Sequence, residues 1–189
     1  MSADFKSARH WARELISDAL SGGGIAIDAT MGNGHDTLWL CQLAGEKGKV
    51  YAFDIQKQAV DNTDRRLSEA GFRGRAVLFC AGHETMAEHV PERADAIVFN
   101  LGWLPGGEKS VTTHTATTLA AVSAAADMLA PSGVMTICIY PGHPEGTREK
   151  NALLDWAKKL DPKVFDVMLK TYLNQPNDPP LMLAVRRRP

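Results

Sequence analysis

The sequence predicts a doubly wound α/β fold in which seven strands form one mostly parallel sheet that is closed by an antiparallel hairpin. Three observations predict it. Helical and strand-like segments alternate along most of the 189 residues, the strands are apolar without a clean two-residue period, and the last two strands share only a short loop. Strands covered on both faces are expected to be apolar throughout, and this alternation predicts right-handed crossovers. With no internal repeat or linker, we expect a single domain over residues 1–189.

The predicted elements follow one another regularly up to residue 160. Apolar residues at helical spacing, from Phe5 to Leu20, predict an amphipathic helix over residues 5–20. An alanine-rich segment predicts a helix over residues 113–130 that stops at Pro131 and Gly133. The remaining helices are predicted over residues 35–44, 56–70, 84–90 and 146–160, and the parallel strands over residues 22–29, 49–55, 75–81, 94–103 and 134–140.

The end of the chain follows a different pattern. Residues 163–173 and 180–187 are both strand-like, and only "NQPNDPP" joins them. A loop this short cannot hold a crossover helix, so the two strands should pair antiparallel. A parallel sheet closed in this way resembles the Rossmann-like fold of class I S-adenosylmethionine (SAM) methyltransferases.

Composition excludes several classes of protein. Hydrophobic residues make up 44% and charged residues 23% of the chain, which is typical of a soluble globular protein. No window approaches the roughly 18 apolar residues of a membrane span, and the N-terminus lacks the apolar core of a secretory signal. Three widely spaced cysteines, Cys41, Cys80 and Cys138, suit buried thiols in a reducing cytosol, and we expect a cytoplasmic protein. A net charge of -1 argues against a sequence-blind nucleic-acid coat, although it leaves room for a local basic patch.

The segment "IDATMGNGHDT", residues 27–37, follows the first strand at the edge where ligands bind in such sheets. Gly32 and Gly34 allow a ligand to approach the backbone, and Asp54, at the end of the second strand, is placed to accept hydrogen bonds from a ribose diol. Thr37 stands where a dinucleotide site has a third glycine. Asp28 would repel a diphosphate by about 4 kcal/mol at 4 Å for an effective dielectric of about 20. The pattern favours SAM, which is cationic and has no phosphate, over NAD; a plain tight turn, with Asp28 as a turn-stabilising acid, is the alternative.

Further residues complete the predicted cofactor site. His83 and Glu84 follow the third strand, where an adenine would rest, although a helix-capping or surface pair is equally consistent. Asp36 also suits the N-terminus of the first crossover helix. The predicted cofactor-binding residues are Asp28, Gly32, Asn33, Gly34, Asp36, Asp54, Gln56, His83 and Glu84.

Four motifs in order, "DATMGNGHDT", "FNLGWLPGGEK", "YPGHPEG" and "NQPNDPP", resemble the rRNA methylase family of class I SAM methyltransferases, and they run from residue 27 to residue 180. The resemblance implies SAM as cofactor, S-adenosylhomocysteine as product, and tRNA as substrate: characterised members methylate the 5-aminomethyl group of wobble (2-thio)uridine. Most members carry Tyr where this chain has Trp103 and Asp where it has Glu108, so this chain has no tyrosine hydroxyl at residue 103.

The loop "NLGWLPGGEK" holds the candidate catalytic residues. Asn100 offers a carbonyl acceptor that would orient an N–H, and Trp103 offers a face for stacking of an extruded base. His143, after the fifth strand, is expected to line the substrate pocket, where a neutral His or a carbonyl would take up the departing proton. Trp103 as a core plug and His143 as a turn residue are the structural alternatives. Six histidines without paired spacing predict no metal site.

Several functions therefore compete. The first is methylation of tRNA at the wobble uridine, with the loop at residues 174–180 against the anticodon loop and "RRR", residues 186–188, available for phosphate contacts or as a solvated tail. The others are rRNA methylation, methylation of a small molecule, and a non-catalytic SAM-binding RNA-interaction module. An NAD oxidoreductase fits least, and a homodimer is a further expectation.

Overall fold

The structure is a computed structural model that describes residues 6–108 and 110–189, so Phe5 and Lys109 lie outside it. Six α-helices and seven strands alternate within this part of the chain. The helices are α1 (Ala8–Ala19), α2 (His35–Leu43), α3 (Lys57–Glu69), α4 (Met86–His89), α5 (Thr115–Met128) and α6 (Pro144–Ala157). The strands are β1 (Ile25–Asp28), β2 (Lys49–Asp54), β3 (Ala76–Cys80), β4 (Ala94–Asn100), β5 (Leu129–Ile139), β6 (Phe165–Lys170) and β7 (Leu181–Arg187).

All seven strands form one sheet in the order β3-β2-β1-β4-β5-β7-β6. The first five strands are parallel, and β7 pairs antiparallel with both β5 and β6. The predicted fold class, with its terminal hairpin, is confirmed. The strand order reverses between β1 and β4, and such a switch point opens a crevice beyond the carboxyl ends of the strands.

Helices cover both faces of the sheet, which explains the continuous apolar strands. On one face α1, α2 and α3 bury Ile16, Leu40 and Leu67 against β1 to β5. On the other face α4, α5 and α6 pack on a larger core that contains Phe53 and Phe99. Each face buries alternate residues of the central strands, and so both sets of strand side chains are apolar.

The helix predicted over residues 113–130 ends earlier, at Met128, and β5 begins directly at Leu129. Ala130 precedes Pro131, which disfavours helical backbone there, and Leu129 is fully buried and pairs with Ala94. The strand then bulges before Val134, where the register with β4 shifts. Strand β5 is therefore longer than the predicted strand at residues 134–140.

The expectation of buried thiols holds for Cys41 and Cys138 but is wrong for Cys80, which is exposed. Cys80 ends β3, and β3 is an edge strand of the sheet. Within residues 6–108 and 110–189, no helix has the length and apolar character that crossing a membrane requires.

Candidate active site

A cavity of about 700 Å³ opens beyond the carboxyl ends of β1, β2 and β4, at the switch point of the sheet. Its walls bring together most of the residues singled out from the sequence: Gly32, Asn33, Asp36, Asp54, Gln56, His83, Glu84, Asn100 and Trp103. Three others, Asp28, Gly34 and His143, are not among the lining residues. The volume is in the usual range for a cofactor or drug-sized ligand.

The glycine turn depends on backbone conformation that favours glycine and on a close contact at Gly34. Gly32 and Gly34 have φ of 50° and 77°, in the left-handed region. A Cβ on Gly34 would lie 2.9 Å from Cα of Thr63 in α3, and a Cβ on Gly32 would lie 3.3 Å from Leu104 Cδ1. The turn thus packs between α3 and the loop after β4, and Gly34 serves as the N-cap of α2.

Asp28 lies behind the cavity wall. It is fully buried and accepts hydrogen bonds from Thr37 Oγ1 at 2.6 Å and from the backbone N–H of Thr30 at 3.2 Å. Burial raises the pKa of Asp28 to about 7, and the neighbouring Asp36 carboxylate adds to the shift. Near neutral pH this group is therefore only partly ionised, which weakens the electrostatic argument made for it from the sequence. Its contacts make it a support of the glycine turn.

Asp54 ends β2 and faces the cavity. Its Oδ2 accepts the N–H of Gly32 at 3.1 Å, and its Oδ1 accepts the N–H of Gln56 at 2.9 Å. Burial raises the pKa of Asp54, while these two N–H groups act in the opposite direction. Because each carboxylate oxygen has two lone pairs, both retain acceptor capacity for a ribose diol.

His83 and Glu84 lie in a short 3-10 helix after β3 and line the same cavity. The His83 ring meets Phe99 edge-on with 5.7 Å between ring centroids. Burial lowers the pKa of His83, which favours the neutral imidazole. A neutral imidazole can donate from one ring nitrogen and accept at the other.

Asp36 binds two arginines of α1. Arg9 bridges both of its carboxylate oxygens, at 3.1 Å and 2.8 Å, and Arg13 donates to Oδ1 at 3.1 Å and 2.6 Å. Burial alone would raise the pKa of Asp36, but the hydrogen bonds from the two arginines outweigh it and hold the pKa below its usual range. Asp36 is thus an ionised carboxylate in the first turn of α2.

Asn100 is the last residue of β4, and hydrogen bonds hold both its backbone and its side chain. Its backbone N–H donates to Thr30 Oγ1 at 2.7 Å, and its side-chain Nδ2 donates to Asp36 Oδ2 at 2.9 Å. Its side-chain oxygen, Oδ1, is buried without a hydrogen-bond partner among the described residues. Buried carbonyl oxygens nearly always have a partner, so this one is a candidate contact for a ligand.

The loop after Asn100 forms a cover over the glycine turn. Trp103 is 37% exposed and pairs with Thr112 in an isolated antiparallel bridge. Leu104 packs on Gly32, and the carbonyl of Pro105 accepts a hydrogen bond from Asn33 Nδ2 at 3.1 Å. The loop therefore places an aromatic face at the cavity and restricts access to the turn.

The buried carboxylate of Glu149, in α6, fixes the base of this loop. It accepts hydrogen bonds from Thr113 Oγ1 at 2.9 Å and Thr118 Oγ1 at 2.6 Å, and Thr113 Oγ1 also accepts the N–H of Gly102 at 2.9 Å. Burial raises the pKa of Glu149, while these hydroxyls act against the shift. The helix after β5 thus supports the loop after β4.

His143 lies beside the loop but off the cavity wall. It is the N-cap of α6, where its Nδ1 accepts the N–H of Gly146 at 3.2 Å and Pro144 fills the first helical position. This explains why α6 begins two residues earlier than predicted. The His143 ring lies against Trp103, with 5.0 Å between centroids. The expectation that His143 lines the pocket therefore differs from the structure, because helix capping orients the ring.

Sequence reasoning missed the arginines of α1 and the role of Glu149. Arg9 and Arg13 are four residues apart on a helix whose apolar face was evident, yet nothing local links them to Asp36, which is 27 and 23 residues away. The arginines at residues 186–188 lie at the opposite edge of the sheet from the cavity, since β7 runs antiparallel to β5. In the described part of the chain, no cluster of three or more His, Cys, Asp or Glu side chains suits a metal ion.

The strand order, the terminal hairpin and a cavity bounded by the glycine turn define a class I methyltransferase fold. The chain belongs to the family described as "Putative rRNA methylase", whose profile matches residues 50–186. A chloroplastic tRNA (mnm(5)s(2)U34)-methyltransferase of Arabidopsis thaliana is 36% identical over 96% of this chain and 70% of its own length.

Solved structures agree with this assignment. A "putative rRNA-methylase" from Clostridium thermocellum superposes with a TM-score of 0.94 at 35% identity, covering 97% of this chain and 99% of that one. A "putative methyltransferase" from Streptococcus mutans, in complex with SAH, gives a TM-score of 0.88 at 38% identity and the same coverage of both chains.

Proposed function

We propose that this protein is a SAM-dependent N-methyltransferase that converts the 5-aminomethyl group of wobble (2-thio)uridine in tRNA into 5-methylaminomethyl. The observation that carries the reaction type is the buried, unpartnered Oδ1 of Asn100 on a residue that lines the cavity. The proposed acceptor follows the Arabidopsis relative, which is similar over nearly the whole chain.

The cavity residues suit SAM. Gly32 and Gly34 form a turn without side chains, and Asp54 offers carboxylate oxygens to a ribose. His83 and Glu84 line the same cavity and would contact the adenine. When bound, SAM supplies an electrophilic methyl group on a sulfonium. All nine predicted cofactor residues are kept in this proposal, although three would act without a direct cofactor contact: Asp28 and Gly34 by shaping the turn, and Asp36 through its hydrogen bond with Asn100.

Asn100 would orient the acceptor. A primary amine reacts only as the neutral form, whose lone pair would attack the methyl carbon while the carbon–sulfur bond breaks and its electron pair stays on sulfur. The positive charge would pass to nitrogen, and the product would leave as the protonated secondary amine or release that proton to solvent. At pH 7, deprotonating an alkylamine with a pKa of about 10.4 costs roughly 4 to 5 kcal/mol. The Asn100 carbonyl would accept one amine N–H and so direct the lone pair. Much of the acceleration would come from this positioning.

Trp103 would stack on the extruded base, a contact worth about 1–3 kcal/mol. The loop of residues 174–180 lies at the same edge of the sheet, because β6 ends and β7 begins there. It is largely exposed, and Asp178 binds Lys150 of α6 at 2.9 Å. We propose that this loop contacts the anticodon loop. His143 would support Trp103 from behind.

Transfer of labelled methyl from SAM tests the proposal directly. We expect transfer to 5-aminomethylated tRNA and none to the same tRNA without the aminomethyl group. Asn100→Ala should retain SAM affinity by calorimetry and lose transfer. A wild-type protein that binds SAM but methylates no form of tRNA would contradict the proposal.

The family description favours a second candidate, methylation of ribosomal RNA. Transfer to rRNA and not to aminomethylated tRNA would support it, and SAM binding without transfer to any RNA would support a non-catalytic module. The single-domain organisation, the homodimer and the cytoplasmic location expected from the sequence stay predictions.

A further inference from the structure

The orientation of the Asn100 amide is determined by its neighbour. An ionised carboxylate can only accept hydrogen bonds, and Asp36 Oδ2 lies 2.9 Å from the side chain of Asn100. The amide must therefore present its NH₂ group to Asp36. A flipped amide would place two acceptors against each other, so the Asn100 carbonyl is the end left for a ligand.

Asp36 is itself immobilised by α1. Four hydrogen bonds from Arg9 and Arg13, between 2.6 Å and 3.1 Å, hold its two oxygens, and the side chain is only 7% exposed. Charge-assisted bonds of this kind are roughly twice as strong as neutral ones. The two arginines also keep the carboxylate ionised, as the lowered pKa of Asp36 indicates. An N-terminal helix thus controls an amide at the end of β4.

We propose that Asp36, held by Arg9 and Arg13, is a positioning residue that fixes the Asn100 amide with its carbonyl available to the acceptor amine. The inference rests on the proposed function for the identity of the amine. It gives Asp36 a role different from the cofactor contact expected from the sequence. Arg13 belongs to this cluster although it does not line the cavity.

Asp36→Asn provides the kinetic test because it preserves size and allows the side chain at this position both to donate and to accept. Misplacement of a catalytic group by about 1 Å can cost about 100-fold. We expect kcat with aminomethylated tRNA to fall about 10- to 100-fold, while KM for tRNA and Kd for SAM change less than about threefold. Asp36→Glu, which restores the carboxylate, should recover part of kcat.

Asp64→Asn is the matched control, because exposed Asp64 also binds an arginine, Arg73, but lies outside the cavity wall. Its kinetics should match the wild type. If Asp36→Asn fails to fold, Arg13→Gln replaces it: this half-exposed residue touches the cluster and not the cavity, and its loss should lower kcat several-fold. A wild-type kcat in the folded Asp36→Asn or Arg13→Gln variant would overturn the proposal.

The side-chain NH₂ signals of Asn100, identified by NMR through their loss in Asn100→Ala, test the geometry without any reaction. We expect them to be shifted and protected in the wild type, moved in Asp36→Asn, and unchanged in Asp64→Asn. If the wild type methylates no RNA, the proposed function fails while these signals still support or contradict the positioning. Signals that are the same in Asp36→Asn as in the wild type would overturn it.

Discussion

Gly34→Ala tests whether the glycine turn depends on close packing or only on backbone conformation. A Cβ at Gly34 would lie 2.8 Å from Oγ1 and 2.9 Å from Cα of Thr63, and the φ of Gly34 is 77°. Gly71, after α3, supplies a matched control. Its φ is 75°, and a Cβ there would meet nothing within 4 Å. The two positions would have the same backbone strain in an alanine variant, but only at Gly34 would the added Cβ overlap with a neighbouring helix.

The expected losses follow from these two contributions. A non-glycine residue in left-handed backbone costs about 1–2 kcal/mol, and that cost applies to both variants. Overlap with the backbone of a packed helix adds about 1–3 kcal/mol, as in overpacked cores. We therefore expect the free energy of unfolding to fall by about 1–2 kcal/mol in Gly71→Ala and by about 2–5 kcal/mol in Gly34→Ala.

Urea unfolding of both variants measures the difference, and calorimetry with SAM measures its effect on the site. Each kcal/mol should lower Tm by roughly 2–4 °C in a chain of this size. Gly34→Ala should also weaken SAM binding, because the turn must shift to relieve the overlap, whereas Gly71→Ala should not. Equal losses of stability in the two variants would refute the packing argument.

Three further predictions concern buried acids and the substrate loop. Because the folded pKa of Asp28 is about 7 against an ordinary 3.8, the folded state binds this proton more tightly. The contribution of Asp28 to the free energy of unfolding should therefore fall by on the order of 4 kcal/mol as pH rises from about 4 through 7. Asp28→Asn should lack this loss in urea unfolding at several pH values, and parallel curves would contradict it. Glu149→Gln leaves one acceptor oxygen for the hydroxyls of Thr113 and Thr118, so the loop should be held less firmly and KM for tRNA should rise several-fold. The affinity for SAM, measured by calorimetry, should not change. An unchanged KM would show that Glu149 does not support the loop. Trp103→Ala should lower kcat/KM for tRNA about 5- to 150-fold, which is equivalent to about 1–3 kcal/mol of stacking. Trp103→Tyr keeps an aromatic ring, and its kcat/KM should stay near that of the wild type. Equal losses in the two variants would argue against stacking.

The sequence predicted the features that depend on local pattern. Asp54 ends its strand as expected, because an apolar run that stops at a polar residue marks the carboxyl edge of a parallel sheet. Strand β4 ends at Asn100, earlier than the strand predicted over residues 94–103. The terminal hairpin was predicted from the length of one loop. Such local patterns do not depend on distant contacts, and the sheet order confirms the fold that they predict.

Features set by tertiary contacts could not be predicted in the same way. Arg9 and Arg13 look like ordinary charges on the polar face of a helix until α1 packs beside α2. His143 carries the residue type of a proton acceptor, yet Pro144 makes it a helix N-cap. In both cases the sequence showed the residue type but did not show which group the residue contacts. That group lies far away in the chain for the arginines and belongs to the backbone for His143.

The same distinction changes the argument against a dinucleotide at the glycine turn. From the sequence, the preference for SAM rested on the charge of Asp28, which in the structure is only partly ionised near neutral pH and lies behind the cavity wall. A dinucleotide site needs free N–H groups at the turn for its pyrophosphate. Here the N–H of Gly32 donates to Asp54 at 3.1 Å and that of Gly34 to the carbonyl of Met31 at 2.8 Å. Leu104 also lies against Gly32. Neither glycine N–H is therefore free for a diphosphate, and the preference for a phosphate-free cofactor rests on this hydrogen bonding.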